Sequence, residues 1–360
     1  MKKLRVAIIG QGRSGRNIHG AYFLSDLNDK FEVVACVDEI PLRRYVAEER
    51  HPGCKTFADY KELFTIKDEI DIVVNASYSH YHYAISKDLL AHGMNVVAEK
   101  PFGRTYEECL DLIETAKANN CKVFPFHQSL FAPNFSKVKE VLESGVLGTP
   151  LQYNLRYSGF AHRWDWQTIL ACCAGGLYNT APHPIGQALD LLGWDENVKI
   201  AYAKLGSYNV SGDGVDYAKL LLTAPEKPLV DIEVISCGDA YPDYIFKVYG
   251  TNGTLQVSYG DYKMTYYKPE EYTEHELKKL ALKDENGNPI YCSDDMKKYE
   301  EGGDVIGDAF NKGSDSFYHM VYDDLVNGKP AYITPEKGAA VIKIIEECHK
   351  ISPLEKKVEL

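Results

Sequence analysis

The chain has 360 residues, of which 45% are hydrophobic and 26% charged, the balance of a soluble globular protein long enough for two cores. A formal net charge of −12 argues against a nucleic-acid or anionic-membrane surface. Nine cysteines without a CxxC pair or zinc-type His/Cys spacing predict reduced thiols, a cytoplasmic setting and no metal centre, and no apolar run is long enough to cross a bilayer.

In chain order, residues 4–9 read as a buried parallel strand that runs into the turn Gly10-Gln11-Gly12-Arg13-Ser14-Gly15. A helix over 13–24 and a second apolar strand over 31–37 follow, and that strand ends at Asp38. This order is a complete βαβ dinucleotide fingerprint. Gly10 allows the tight turn, Gly12 lets backbone approach a pyrophosphate, and Gly15 lets helix and strand pack closely. Asp38 accepts from the adenosine ribose, which favours NAD, while Arg43 and Arg44 soften the preference and leave NADP open.

Helix and strand continue to alternate: helices over 41–49, 59–64, 81–92 and 105–118, strands near 56–57 and over 70–76, 95–98 and 122–126. The strand over 95–98 delivers Glu99-Lys100-Pro101 at its carboxyl end, where such sheets place ligands. These elements predict a Rossmann-type doubly wound parallel sheet over residues 1–126.

Over 127–360 the character changes to an α+β domain with an open, mainly antiparallel sheet. A helix over 134–144 precedes strands over 151–159, 199–205, 217–223, 230–236, 245–249 and 254–257, the last two joined by an Asn252-Gly253 hairpin signal. The polar stretch 261–314 reads as one long excursion, and helices over 316–326 and 336–348 close the chain.

Hydride transfer from an alcohol needs a base for the hydroxyl proton and a positive group beside the developing alkoxide. Lys100, just past a strand at the cofactor edge, and His183, in the run Thr180-Ala181-Pro182-His183-Pro184, have the chemistry for both. One helical turn separates Asn179 from His183, which predicts a hydrogen bond from Asn179 that orients the imidazole. The stretch Arg163-Trp164-Asp165-Trp166-Gln167 borders the substrate pocket: Arg163 pairs hydroxyls, and Trp164 and Trp166 either cover the C–H faces of a polyol or pack into a domain interface.

Over nearly its whole length the chain resembles the glucose–fructose oxidoreductase, inositol dehydrogenase and MocA family, Gfo/Idh/MocA. The loop Ser77-Tyr78-Ser79-His80-Tyr81-His82 parallels the family's loop beside the nicotinamide, Glu99-Lys100-Pro101 is its E-K-P signature, and Gly250-Thr251-Asn252-Gly253 is similar to its G-T-x-G turn. The resemblance implies cofactor contacts from Ser77, Tyr78, Ser79, His82, Glu99, Lys100 and Pro101, with Lys100 on the reacting hydroxyl and His183 as acid/base. It implies an NAD(P)-dependent oxidoreductase acting on a sugar, inositol or related polyol; the exposed face of the open second sheet, which rarely stays uncovered in water, predicts a homodimer or homotetramer. Two departures stand out: Asn179 replaces the family's aspartate four residues before the histidine, and Gly186 replaces an aspartate three residues after it. They keep two alternatives open, a cofactor- and ligand-binding sensor and a redox-neutral NAD-dependent glycosidase of the same fold.

Overall fold

A computed structural model describes residues 3–355 and 358. The first sheet has six parallel strands, β1 (Leu4–Ile9), β2 (Phe31–Val37), β3 (Lys55–Phe57), β4 (Ile72–Asn75), β5 (Val96–Ala98) and β6 (Val123–Pro125), in the order β3-β2-β1-β4-β5-β6. Its central strands are apolar on both faces, as a parallel sheet covered by helices on both sides requires. The covering helices include α1 (Gly20–Phe23), α2 (Pro41–Arg50), α3 (His82–Ala91) and α4 (Tyr106–Ala118). Strand order reverses between β1 and β4, and ligands in such sheets sit beyond the carboxyl ends of the strands at that point.

The stretch expected to be one helix over 13–24 is divided: Gly15–His19 is widened to π geometry before α1 begins. The π segment carries His19 inward, where it is fully buried. Gly10 adopts φ +84°, and a Cβ there would stand 2.3 Å from the Ala76 carbonyl oxygen, while a Cβ on Gly15 would stand 1.7 Å from that of Gly10.

After α5 (Pro133–Glu143) comes a second sheet of eight strands: β7 (Pro150–Ser158), β8 (Lys199–Gly206), β9 (Tyr217–Thr223), β10 (Leu229–Ile235), β11 (Phe246–Gly250), β12 (Gly253–Val257), β13 (Asp261–Tyr266) and, at its far edge, the strand Tyr299–Asp304. It is mixed, since β10 pairs with β7 in parallel while the other neighbours are antiparallel. One face packs Leu155, Leu220, Leu222, Ile232 and Phe246 into the core. The opposite face carries an ion network: Lys219 Nζ reaches Asp231 Oδ1 at 2.5 Å and Glu233 Oε2 at 3.2 Å, with Arg156 3.7 Å from Glu233.

Two expectations change here. Residues 261–314 are not a single excursion, because β13 and Tyr299–Asp304 extend the sheet and the segment between them leaves it; both are polar, β13 lying next to the edge and Tyr299–Asp304 forming it almost wholly exposed, which hides them from a hydropathy reading. Nor is the β11–β12 connection an Asn-Gly turn with left-handed residues, since neither Asn252 nor Gly253 has positive φ. The Thr251 and Asn252 amides instead bond the carbonyls of Thr149 and Leu147, and Gly253 is demanded by close approach, its would-be Cβ lying 2.5 Å from the Thr265 carbonyl oxygen.

Two short helices, α6 (Gly176–Asn179) and α7 (Pro182–Leu191), lie between β7 and β8, and the chain closes with α8 (Ala309–Asn327) and α9 (Pro335–Ile351). These last helices return to the first sheet. Tyr318 of α8 is fully buried and stacks on Tyr22 with 4.8 Å between ring centroids, and Glu346 of α9 accepts from the Tyr106 amide at the start of α4. Among the described residues no helix is long and apolar enough to cross a membrane.

Candidate active site

A cleft of about 650 Å³ runs along the carboxyl ends of the first sheet and is closed at one end by the second. At its open end Asp38 is held as an acceptor: its Oδ2 takes the Gln11 amide at 2.8 Å, its Oδ1 takes the Ile40 amide at 2.9 Å, and Arg43 Nη1 stands 3.3 Å away. Gly12, Arg13 and Ser14 line the middle of the cleft, and a Cβ on Gly12 would meet no protein atom within 4 Å. That space at a helix N-terminus, with a fixed carboxylate beyond it, suits a pyrophosphate and an adenosine ribose. Gln11 and Gly15 support the turn from behind.

Farther in, Ser77, Tyr78, Ser79 and His82 border the cleft. His82 joins two loops: its Nδ1 lies 2.9 Å from the Pro101 carbonyl oxygen and its Nε2 3.1 Å from that of Ser77, and burial lowers its pKa. Pro101 is reached through a cis peptide from Lys100 and does not line the cleft. Its carbonyl positions His82 instead.

Glu99 is buried beneath the floor of the cleft. Its Oε1 lies 3.2 Å from His19 Nε2, its Oε2 accepts the Lys100 amide at 2.9 Å, and His19 Nδ1 is 2.6 Å from the Tyr318 hydroxyl. Burial works to raise the Glu99 pKa, but the His19 contact together with the Lys100 charge holds it well below the carboxylate range. Glu99 is therefore an anion spent on structure. The Lys100 side chain turns the other way, where Nζ donates to the Asn179 carbonyl oxygen at 2.9 Å. Burial lowers its pKa, with Glu99 opposing and Arg13 and Arg163 assisting.

His183 borders the same end of the cleft. The expected Asn179–His183 hydrogen bond is absent, because the break between α6 and α7 turns the two side chains apart: Asn179 Nδ2 donates to the Gln167 carbonyl at 3.2 Å. Asn179 contributes its backbone to Lys100 rather than its amide to the imidazole. His183 Nδ1 instead lies 3.0 Å from Ser129 Oγ. Burial, the Lys100 charge and His127 push His183 down to about 3.

Of the aromatic stretch, Arg163 and Trp166 line the cleft and Trp166 meets Tyr78 edge to face at 5.0 Å. Trp164 does not line it and is 76% exposed. Arg163 Nη2 is braced by Asp165 Oδ2 at 2.7 Å and Gln167 Oε1 at 2.5 Å. Reading the sequence missed Gln128, Ser129 and Tyr157, which come from the turn after β6 and from β7. No local motif marks them; only the packing of the two sheets brings them to Lys100 and His183.

Known proteins share this fold. Residues 4–127 match the profile of an oxidoreductase family with an NAD-binding Rossmann fold, and residues 139–360 match the C-terminal alpha/beta domain of the same family. An uncharacterised oxidoreductase of Schizosaccharomyces pombe is 24% identical over 100% of both chains. A scyllo-inositol 2-dehydrogenase (NADP(+)) of Bacillus subtilis is 25% identical over 61% of this chain and 59% of its own. Among solved structures, an oxidoreductase from Agrobacterium radiobacter in complex with NAD+, L-tartaric acid and magnesium superposes with a TM-score of 0.76 at 18% identity, covering 98% of this chain and 96% of that one.

Proposed function

The chain belongs to the Gfo/Idh/MocA oxidoreductase family, with an NAD-binding Rossmann domain, and from that premise we propose that it oxidises or reduces one hydroxyl or carbonyl carbon of a sugar, inositol or related polyol. The observation that carries this reading is the convergence of Lys100 Nζ and the His183 ring at the closed end of a cleft whose open end is shaped for adenosine. Asp38 favours the ribose diol of NAD over a 2′-phosphate, while Arg43 beside it narrows the margin. Bound there, the nicotinamide would exchange a hydride with the substrate carbon. Lys100 would point its amine at the reacting oxygen, His183 would hydrogen-bond that oxygen from α7, and Trp166 with Tyr78 would cover an apolar ring face.

The test is reduction of NAD by a polyol panel with wild type and Lys100→Ala. Loss of turnover in the variant with NAD affinity within about threefold supports the roles; full turnover in Lys100→Ala removes them. One observation favours a second reading. The catalytic end lacks a carboxylate on His183, so tight cofactor binding with silence across the panel would point to a ligand sensor or a redox-neutral glycosidase. For assembly, the ion-paired open face of the second sheet is the surface we assign to pairing of two copies, and a monomeric mass in solution would remove that assignment.

A further inference from the structure

The strand-end turn Gln128–Phe131 and helix α7 are locked together around His183. Gln187, one helical turn beyond His183, is fully buried and donates from Nε2 to the Ser129 carbonyl oxygen at 3.1 Å. Its Oε1 accepts from the Tyr157 hydroxyl at 2.9 Å, and the Tyr157 ring lies nearly parallel to the imidazole with 6.3 Å between centroids. Ser129 is thus pinned through its backbone while its hydroxyl faces His183 Nδ1, and among the described residues that hydroxyl has no other partner. His183 Nε2 is left for the cleft.

A hydroxyl differs from a carboxylate as a partner for imidazole. A carboxylate only accepts, so it fixes a proton on Nδ1 and stabilises the imidazolium; a hydroxyl donates or accepts and carries no charge. The groups facing His183 give it no counter-ion. Lys100 and His127 stand beside it, Tyr157 is neutral, and the Glu99 carboxylate is occupied by His19 and the Lys100 amide. Lys100 Nζ, for its part, has only the Asn179 carbonyl and no carboxylate in contact among the described residues.

We propose that Ser129 is the positioning residue of His183, that the pair holds the ring as a neutral hydrogen-bond donor, and that Lys100 is the group that carries the proton of the reacting hydroxyl. With Ser129 Oγ–H donating to Nδ1, the ring proton sits on Nε2, and Nε2–H donates to the substrate oxygen whether that oxygen is a hydroxyl or a carbonyl. One tautomer serves both ends of the reaction without charging the ring, and the single proton of the hydroxyl is left for Lys100. In the oxidation direction the substrate O–H bond breaks, its proton forms an N–H bond on the neutral Lys100 amine, and the oxygen electron pair closes the carbonyl as hydride leaves for the nicotinamide. This division of labour rests on the oxidoreductase reading, but its first test does not.

That test is NMR of the full-length protein with NAD, labelled at histidine and lysine and followed over the range from about pH 5.5 to about 10. Signals are assigned by their loss in His183→Gln and Lys100→Arg. The expected result is a His183 ring that stays neutral throughout, a tautomer ratio that changes in Ser129→Ala, and a Lys100 midpoint at least about tenfold in proton concentration below that of exposed lysines. In Ser129→Asp an imidazolium signal should enter the acid end of the range, with the midpoint raised by about two pH units or more. A wild-type His183 that titrates near its ordinary range overturns the proposal, as do an unchanged tautomer ratio in Ser129→Ala and a Lys100 that titrates with the surface lysines. Given an active substrate, the ionisation in log kcat/KM should keep its position in His183→Gln while the rate falls; its disappearance there would return the proton to His183. Silence on every polyol would sink the substrate class and leave the NMR outcome standing.

Discussion

Acid should destabilise this fold at a pH where most proteins are still at their best, because several histidines are buried neutral. His183 is pushed down to about 3, and His127 and His51 to about 4, burial being the first cause in each. Each folded-state pKa lies below the unfolded value near 6.5, so the unfolded chain binds more protons between those limits and stability must rise with pH across the window. The contribution is complete above about pH 6.5 and is lost as pH falls toward the folded values. One such group gives about 1.4 kcal/mol per pH unit, hence about 2 kcal/mol between about pH 6.5 and about pH 5, and these three together about 6 kcal/mol, with the lowered His82 adding in the same sense. Glu99, also depressed, acts with the same sign but only below the ordinary carboxylate range, so it does not confuse the measurement. Urea unfolding at a series of pH values is the assay. His127→Gln is the informative variant, since among the described residues neither ring nitrogen of His127 has a hydrogen-bond partner, and the window slope should fall by roughly a quarter to a third without a bond being lost. A flat profile from about pH 6.5 to about pH 5, or a full slope in His127→Gln, would refute the reasoning.

Two further outcomes follow from the cleft itself. Asp38→Ser removes the acceptor that the Gln11 and Ile40 amides orient and frees Arg43, so calorimetric NAD affinity should fall roughly 10- to 100-fold while the NAD/NADP ratio narrows; an unchanged ratio would deny Asp38 its role. Trp166→Ala should raise KM for an active polyol about tenfold with Trp164→Ala within about twofold, because only Trp166 borders the cleft; equal effects would mean that the exposed ring folds inward on binding.

The cofactor half of the site was legible because its constraints are local. Gly10, Gly12, Gly15 and Asp38 each answer to backbone geometry within one βαβ unit, and the apolar strands around them leave little choice of fold. The same holds for Lys100, delivered by a strand end. What failed was inference across a break in regular structure. Spacing of four residues places Asn179 under His183 only in a continuous helix, and the chain interrupts the helix between them. Ser129 belongs to a different element altogether, 54 positions away, and nothing in its neighbours announces a histidine. β13 and the edge strand Tyr299–Asp304 escaped for another reason, both being too polar to read as sheet.

Glu99 and Lys100 are adjacent in sequence and of opposite charge, yet the fold uses them in opposite directions. The Glu99 carboxylate is drawn under the sheet by His19, which the π-widened turn carries inward, and His19 in turn rests on the Tyr318 hydroxyl from α8. A carboxylate free to swing upward would pair with Lys100 Nζ and satisfy it before any substrate arrived. Caged below, it accepts the Lys100 amide instead and fixes the backbone from which the amine is aimed. The amine then borders the cleft with, among the described residues, a single carbonyl as hydrogen-bond partner, so in the proposed reaction a substrate oxygen would meet a group with bonds still to make and no carboxylate paired to it. The last helices of the chain, which look from the sequence like closing elements, are thereby part of how the first sheet presents its lysine.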